Sequence, residues 1–186
     1  MIRITGGKFK GKQLKTISKY VRPTSSLKRE AFFSVIESYG LRHSNNFFGK
    51  KTFLDLFAGL GTMGLEAISR DFKHVIFYEN NIRVLNILKK NCANLCKDEQ
   101  FEIIEEDIET AKIELKFKDI GVVFLDPPYN KYNITNILLT LQNKISDDTI
   151  IGVESSIKDS FKVPDKLKLL KQKRYGKTNL SFLVLT

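Results

Sequence analysis

The sequence has no tryptophan, two cysteines, two histidines and four prolines in 186 residues. Each scarcity closes off a class of answer. Cys92 and Cys96, one helical turn apart, are too few for a disulfide framework and lack the two-pair spacing of a zinc site, so they read as reduced core thiols. His43 and His74 stand alone and far apart, which argues against a metal centre. No stretch approaches the roughly 20 apolar residues of a membrane span, and Met1 to Lys8 lacks the apolar core of an export signal. The expectation is a soluble, cytoplasmic monomer with no metal and no membrane contact. The rest of the composition is ordinary, 42% hydrophobic and 28% charged. A single domain of this length buries about 70% of its unfolded surface.

Acidic residues are also scarce, but only locally. Residues 1–51 carry twelve Lys and Arg against Glu30 and Glu37, whereas residues 52–186 carry nineteen of each sign, so the net charge of +10 belongs to the first 51 residues. A genome-wide lysine bias would raise lysine throughout without matching it with acid. A localised basic stretch is instead suited to a polyanion, through salt-sensitive phosphate contacts. The expected organisation is therefore a basic N-terminal extension, 1–51, ahead of a charge-balanced domain, 52–186.

In the extension, Ile2, Ile4, Gly6-Gly7, Phe9, Gly11 and Leu14 predict a short hairpin interleaved with basic side chains. Thr24 or Ser25 can cap a following helix with Leu27, Ala31, Val35, Ile36 and Tyr39 on its apolar face and Gly40 as its stop. From Thr52 onward, short apolar runs alternate with helical segments, the pattern of a parallel sheet covered on both faces. The runs are Thr52–Phe57, His74–Tyr78, Phe101–Glu105, Gly121–Leu125 and Thr149–Val153. Helices are expected at Thr62–Arg70, Asn81–Asn94, a short one near Ile108–Leu115, and Ile134–Asn143. Leu167–Tyr175 and Leu180–Leu185, around a Gly176-Lys177-Thr178-Asn179 turn, read as a closing antiparallel hairpin.

The chemistry concentrates at the ends of these runs. Gly59, Gly61 and Gly64 match GxGxxG between a strand and a helix, with Glu79 twenty residues on, which alone suits a nicotinamide dinucleotide. Asp55 opposes that reading, because a carboxylate beside the helix N-terminus repels a pyrophosphate. S-adenosylmethionine, with a sulfonium, an ammonium and no phosphate, suits an anionic site better. Asp55, Phe57, Ala58, Gly59, Gly61 and Gly64 would then cradle its amino-acid end, Glu79 with Asn80 its ribose, and Asp107 with Ile108 its adenine. Acids after strands are also common solvated loop residues, and the spacing of one per strand end is what favours a site.

Asp126-Pro127-Pro128-Tyr129 follows the fourth run. Two prolines stiffen the turn and remove two backbone donors, leaving the Asp126 carboxylate and the Pro127 carbonyl as acceptors. A nucleobase amine is a poor nucleophile because its lone pair is delocalised into the ring. Two acceptors holding its hydrogens favour a pyramidal nitrogen aimed at a methyl donor. Tyr129 can stack on the base, and Asp126, Pro127, Pro128 and Tyr129 form the catalytic set. The tetrapeptide suits guanine N2 and adenine N6 alike, and a non-catalytic RNA-binding assembly factor is the alternative from another class. Glu154 follows the fifth run and could line the substrate side, but it is not counted in the site. Lys171, Lys173 and Arg174 either extend an RNA surface or keep an edge strand soluble.

With these residues in view, the chain resembles the RsmD family of bacterial 16S rRNA guanine-N2 methyltransferases over nearly its whole length. Arg3 to Lys8 with Gly11, Arg22-Pro23-Thr24 and Arg29-Glu30 look like that family's N-terminal signature. Asp55 to Gly64 with Leu65-Glu66-Ala67 and Ser69-Arg70 look like its cofactor loop and following helix, and Asp126 to Tyr129 like its catalytic motif. Ser26 and Leu27 replace an acid and an arginine usual in the family, and Asn81 replaces an acid. The resemblance implies a Rossmann-like S-adenosylmethionine-dependent α/β methyltransferase with a mostly parallel seven-stranded sheet. It implies transfer to N2 of a guanine in 16S rRNA, within the 30S subunit or its assembly intermediate. Arg3, Lys8, Lys10, Lys12, Arg22 and Arg29 would then hold RNA while a base is extruded toward Tyr129, with shaping of the cofactor pocket the alternative for Arg22 and Thr24.

Overall fold

The computed structural model describes residues 2–17, 24–43, 46–111, 119–128 and 131–186. Two short strands, β1 (Ile2–Arg3) and β2 (Gln13–Leu14), pair antiparallel and lead into helix α1 (Ser26–Arg42). Then follow β3 (Thr52–Asp55), α2 (Thr62–Ser69), β4 (His74–Tyr78), α3 (Ile82–Leu95), β5 (Phe101–Ile104) and β6 (Ile120–Leu125). Helix α4 (Ile134–Leu141), β7 (Ile150–Ser156), β8 (Leu167–Tyr175) and β9 (Thr178–Leu185) complete the chain order. Seven strands form one sheet in the order β5-β4-β3-β6-β7-β9-β8. The first five are parallel; β9 runs antiparallel to both β7 and β8. This is a mostly parallel Rossmann-like sheet closed by an antiparallel hairpin, as the sequence pattern and the resemblance led us to expect.

The central strands are apolar throughout because both faces are covered. Phe53, Val75, Val122 and Phe124 join one core with α1, α2 and α3, while Leu54, Ile76, Val123, Leu125 and Ile151 join a second with α4. On the first face Phe32 of α1 is the hub, with ring centroids 5.1 Å from Phe124, 5.3 Å from Phe33 and 5.4 Å from Phe182. Gly152 of β7 makes room for it: a Cβ there would lie 2.2 Å from the Phe32 ring. Among the described residues no helix is long and apolar enough to cross a membrane.

Several local expectations are corrected. Helix α1 is capped by the Ser25 side chain, but it buries Arg29, Phe32, Phe33, Val35, Ile36 and Gly40, and Leu27 is 66% exposed. Gly40 does not stop the helix, which runs on to Arg42; it is a packing glycine on the buried face. The hairpin turn is only Gly176-Lys177, since pairing resumes at Tyr175–Thr178. Residues 108–110 make a turn in place of the helix expected near Ile108–Leu115, whose remainder falls largely outside the described residues.

The basic N-terminal segment is fastened to the sheet domain. Glu66 of α2, fully buried, accepts from the Thr5 and Gly6 amides at 2.9 and 2.7 Å and from the Thr5 hydroxyl at 2.6 Å. The Lys8 amide donates to the Ser69 carbonyl and the Phe9 amide to its hydroxyl. Gly7 has φ +72°, and a Cβ there would stand 1.8 Å from the Ser69 carbonyl oxygen. Farther on, buried Asn91 of α3 exchanges hydrogen bonds with the backbone of Lys15 and donates to Leu60.

Candidate active site

Strand order reverses between β3 and β6: from β3 the chain proceeds to β4 on one side, while β6 lies on the other. A crevice opens at the carboxyl edge of a sheet at such a point. Asp55 ends β3 and Asp126 follows β6, so the crevice is flanked by two carboxylates.

The loop after β3 is shaped by backbone pairing. The Leu56 amide donates to Phe124 and the Ala58 amide to Tyr78, which ties the loop to both neighbouring strands. Gly59 and Gly61 have φ of +55° and +82°, and Gly61 forms the left-handed N-cap of α2. Gly64 lets the helix approach β4, since a Cβ would lie 2.1 Å from the Phe77 ring. Its amide donates to Asp55 Oδ2 at 3.2 Å. Asp55 is 1% exposed, and the Phe57 amide as well as that of Gly64 favours its charged form. Burial pushes its carboxyl up to about 7; the Gly64 amide opposes this and the charge of Glu79 adds to it.

Beyond β4, Glu79 accepts from the Gly59 amide at 3.0 Å and from the Asn81 amide at 2.8 Å. Each oxygen keeps a lone pair for a further donor. Asn81 caps α3, accepting from the Arg83 and Val84 amides, which gives the departure from the family pattern a local role. Beyond β5, Asp107 accepts from Asn80 Nδ2 at 2.6 Å and from the Tyr132 hydroxyl at 2.8 Å. The Glu109 amide is the main cause of its carboxyl lying below the usual range, with Tyr132, Lys131 and Asn80 adding to it. Ile108 turns into the second core, and the half-buried Phe57 ring meets Tyr132 edge-on at 4.8 Å.

Asp126 accepts from the Thr24 hydroxyl at 3.3 Å. Burial and the neighbouring Glu154 push its carboxyl up to about 8, Lys28 and Thr24 pull the other way, and Asp55 adds a smaller upward push. Asp55 pairs with Phe124, two residues before Asp126, so the two carboxylates stand at the same edge of adjacent strands. Pro127 is buried and Pro128 exposed; together with Tyr132, Glu154, Ser155 and Phe161 they line a cavity of about 540 Å³. Tyr129 and Arg22 lie outside the described residues.

The structure therefore brings Asp55, Gly59, Gly61, Gly64, Glu79, Asn80, Asp107, Asp126 and Pro127 to one edge of the sheet. Arg3, Lys8, Lys10 and Lys12 are exposed on the N-terminal hairpin. Arg3 donates to the Gly11 carbonyl at 2.9 Å, and Lys8 stands 3.8 Å from Asp71. The assignment of Arg29 to RNA is overturned. Arg29 is 2% exposed and donates to the carbonyls of Thr24 and Arg3, both at 2.6 Å, with its Nε 3.5 Å from Glu66. A guanidinium enclosed in this way organises the fold and cannot reach a phosphate. Sequence reasoning missed Lys28 and Tyr132, and left Glu154 off the site although it could line the substrate side. Glu154 had the same signal as the accepted acids, a carboxylate at a strand end; Lys28 and Tyr132 had no local signal.

Residues 2–184 match the family model described as "Conserved hypothetical protein 95". The ribosomal RNA small subunit methyltransferase D of Haemophilus influenzae is 33% identical over 181 residues, covering 94% of this chain and 89% of that protein. An Escherichia coli structure solved as "Putative methyltransferase yhhF" superposes with a TM-score of 0.81 at 26% identity, covering 99% of this chain and 97% of the other. An RNA methyltransferase of Salinibacter ruber, solved with S-adenosyl-L-homocysteine, shares the fold at a TM-score of 0.65 and 14% identity, over 88% of this chain and 94% of that one. With a Rossmann-like methyltransferase fold, a matching family model over nearly every residue and these relatives, the chain belongs to the RsmD family.

Proposed function

We propose that this chain methylates small-subunit rRNA in the cytoplasm, using S-adenosylmethionine and modifying the exocyclic N2 of a guanine. The observation that carries the reading is the placing of Asp55 and Asp126 at the carboxyl ends of adjacent parallel strands at the strand reversal. A cationic methyl donor fits this donor set. The Asp55 carboxyl is buried and lifted by that burial, and a sulfonium and ammonium nearby offset the cost of its charge. A pyrophosphate would meet the same carboxylate as repulsion.

S-adenosylmethionine supplies an electrophilic methyl group. Asp55 and the glycine loop hold its amino-acid end, Glu79 with Asn80 its ribose, and Asp107 with Ile108 its adenine, Asp107 accepting from the adenine amine. The Asp126 carboxylate and the Pro127 carbonyl take the hydrogens of the target amine and turn its lone pair toward the donor, a matter of positioning and electrostatics. Tyr129 is assigned to stacking on the extruded base, an interaction worth about 1 to 3 kcal/mol. Arg3, Lys8, Lys10 and Lys12 hold RNA phosphates, with Arg22 assigned to the same task from its place in the signature. The names of the relatives support methyl transfer to rRNA; the guanine assignment rests on the family resemblance and the tetrapeptide.

Labelled-methyl transfer to 16S rRNA, small subunits and DNA, followed by nucleoside analysis, tests the proposal. N2-methylguanosine in the RNA is expected; N6-methyladenosine in its place would replace the guanine assignment. Asp126→Ala is expected to abolish transfer while calorimetry finds donor affinity within a few fold. Absence of any donor binding by the parent protein would instead support a non-catalytic RNA-binding factor.

A further inference from the structure

The cavity beyond Asp126 holds a second acid for which donor binding has no use. Glu154 follows Val153, the residue paired with Leu125, so the Asp126 and Glu154 carboxylates leave neighbouring parallel strands at the same level. Glu154 is 3% exposed and lines the cavity with Pro127 and Pro128. Lys28, reaching in from α1, donates to its Oε1, and the Thr178 hydroxyl lies 3.5 Å from the same ammonium. The other oxygen, Oε2, is buried and has no partner among the described residues. Buried acceptors are normally satisfied, so Oε2 has room for a donor from what enters the cavity, a water or a ligand N–H.

Purine edges differ in what they offer to two adjacent acids. Guanine has N1–H beside its N2 amine, a row of donors. Adenine has a bare N1 beside its N6 amine, so one of the two acids would face another acceptor. We infer that Glu154 accepts the guanine N1–H through Oε2 while Asp126 holds N2, and that this pairing makes the cleft select guanine over adenine. The inference rests on the methyl-transfer reading above and names the residue that reads the base. Lys28 has a supporting part: it fixes Oε1, so that Oε2 is the oxygen left for the base, and its charge offsets the burden of two neighbouring carboxylates.

The test replaces the guanosine found by mapping with 2-aminopurine, which keeps the 2-amino group but lacks N1–H and O6. With the full-length protein, single-turnover transfer is expected to favour guanosine by about a hundredfold or more, because a site built around an N–H rejects an analogue without it. Glu154→Gln, whose amide can donate to a bare N1, is expected to narrow that preference at least about tenfold, with donor affinity within about twofold. Since 2-aminopurine also lacks O6, the narrowing is what reports on Glu154. Should that variant not fold, Glu154→Asp, which withdraws the carboxylate from the base, is expected to narrow the same ratio. Equal wild-type rates on the two RNAs, or a ratio unchanged in the folded variant, would overturn the inference and leave guanine methylation standing. Failure of the wild-type protein to produce N2-methylguanosine would overturn both.

Discussion

Asp55 carries an ionisation that ties stability to ligand. Burial lifts its folded-state carboxyl from 3.8 to about 7, opposed by the Gly64 amide. A group raised in the fold contributes stability that is whole below its unfolded value, declines as pH rises, and is lost once pH passes the folded value. Between about pH 4 and 7 the free protein therefore becomes less stable through this residue. Asp55→Asn keeps an acceptor for Gly64 and removes the titration, so its unfolding midpoint is expected to fall less than the parent's over that range. Donor affinity, followed by calorimetry from pH 6 to 8, is expected to rise in the parent and to rise less in Asp55→Asn. Arg29 makes the opposite point about charge. It sits among acceptors inside the fold, so its positive charge belongs to no external surface.

The Gly6-Gly7 element is shaped by contact with α2. Gly7 combines a left-handed φ with a carbonyl where a side chain would begin. Gly7→Ala is expected to cost about 2 to 3 kcal/mol in denaturant unfolding. Hydrogen exchange should lose protection at the Lys8 and Phe9 amides, which bond to Ser69, before those of β3. Strands were readable in the sequence because a sheet covered on both faces leaves uninterrupted apolar runs such as Phe53-Leu54 and Val122-Val123-Phe124. Helix α1 misled because it turns Arg29 and Gly40 inward and Leu27 outward, which blurs the apolar stripe that a periodicity argument needs. The acids of the crevice were readable because each closes a strand. Glu154 closes one too, but only the pairing of β6 with β7 reveals that it stands beside Asp126. Tyr132 reaches Asp107 across the ends of separate elements, a proximity with no local trace in the chain.

Across the molecule, charge is divided between an acidic crevice and a basic hairpin fastened to the domain by Glu66, Ser69 and Asn91. Lys8, Lys10 and Lys12 project from that hairpin. Replacing all three with Gln should weaken binding to 16S rRNA and reduce the slope of log affinity against log salt by about 2, the release expected for three single-strand phosphate contacts. An unchanged slope in anisotropy titrations would move the contact surface elsewhere. The sheet order has a separate effect on how the molecule is made. Strand β9 lies between β7 and β8 although it follows both in the chain. During translation β7 must wait with a bare rim until the ribosome has delivered the whole hairpin. That interval is when a growing chain most needs chaperone cover against pairing with its neighbours.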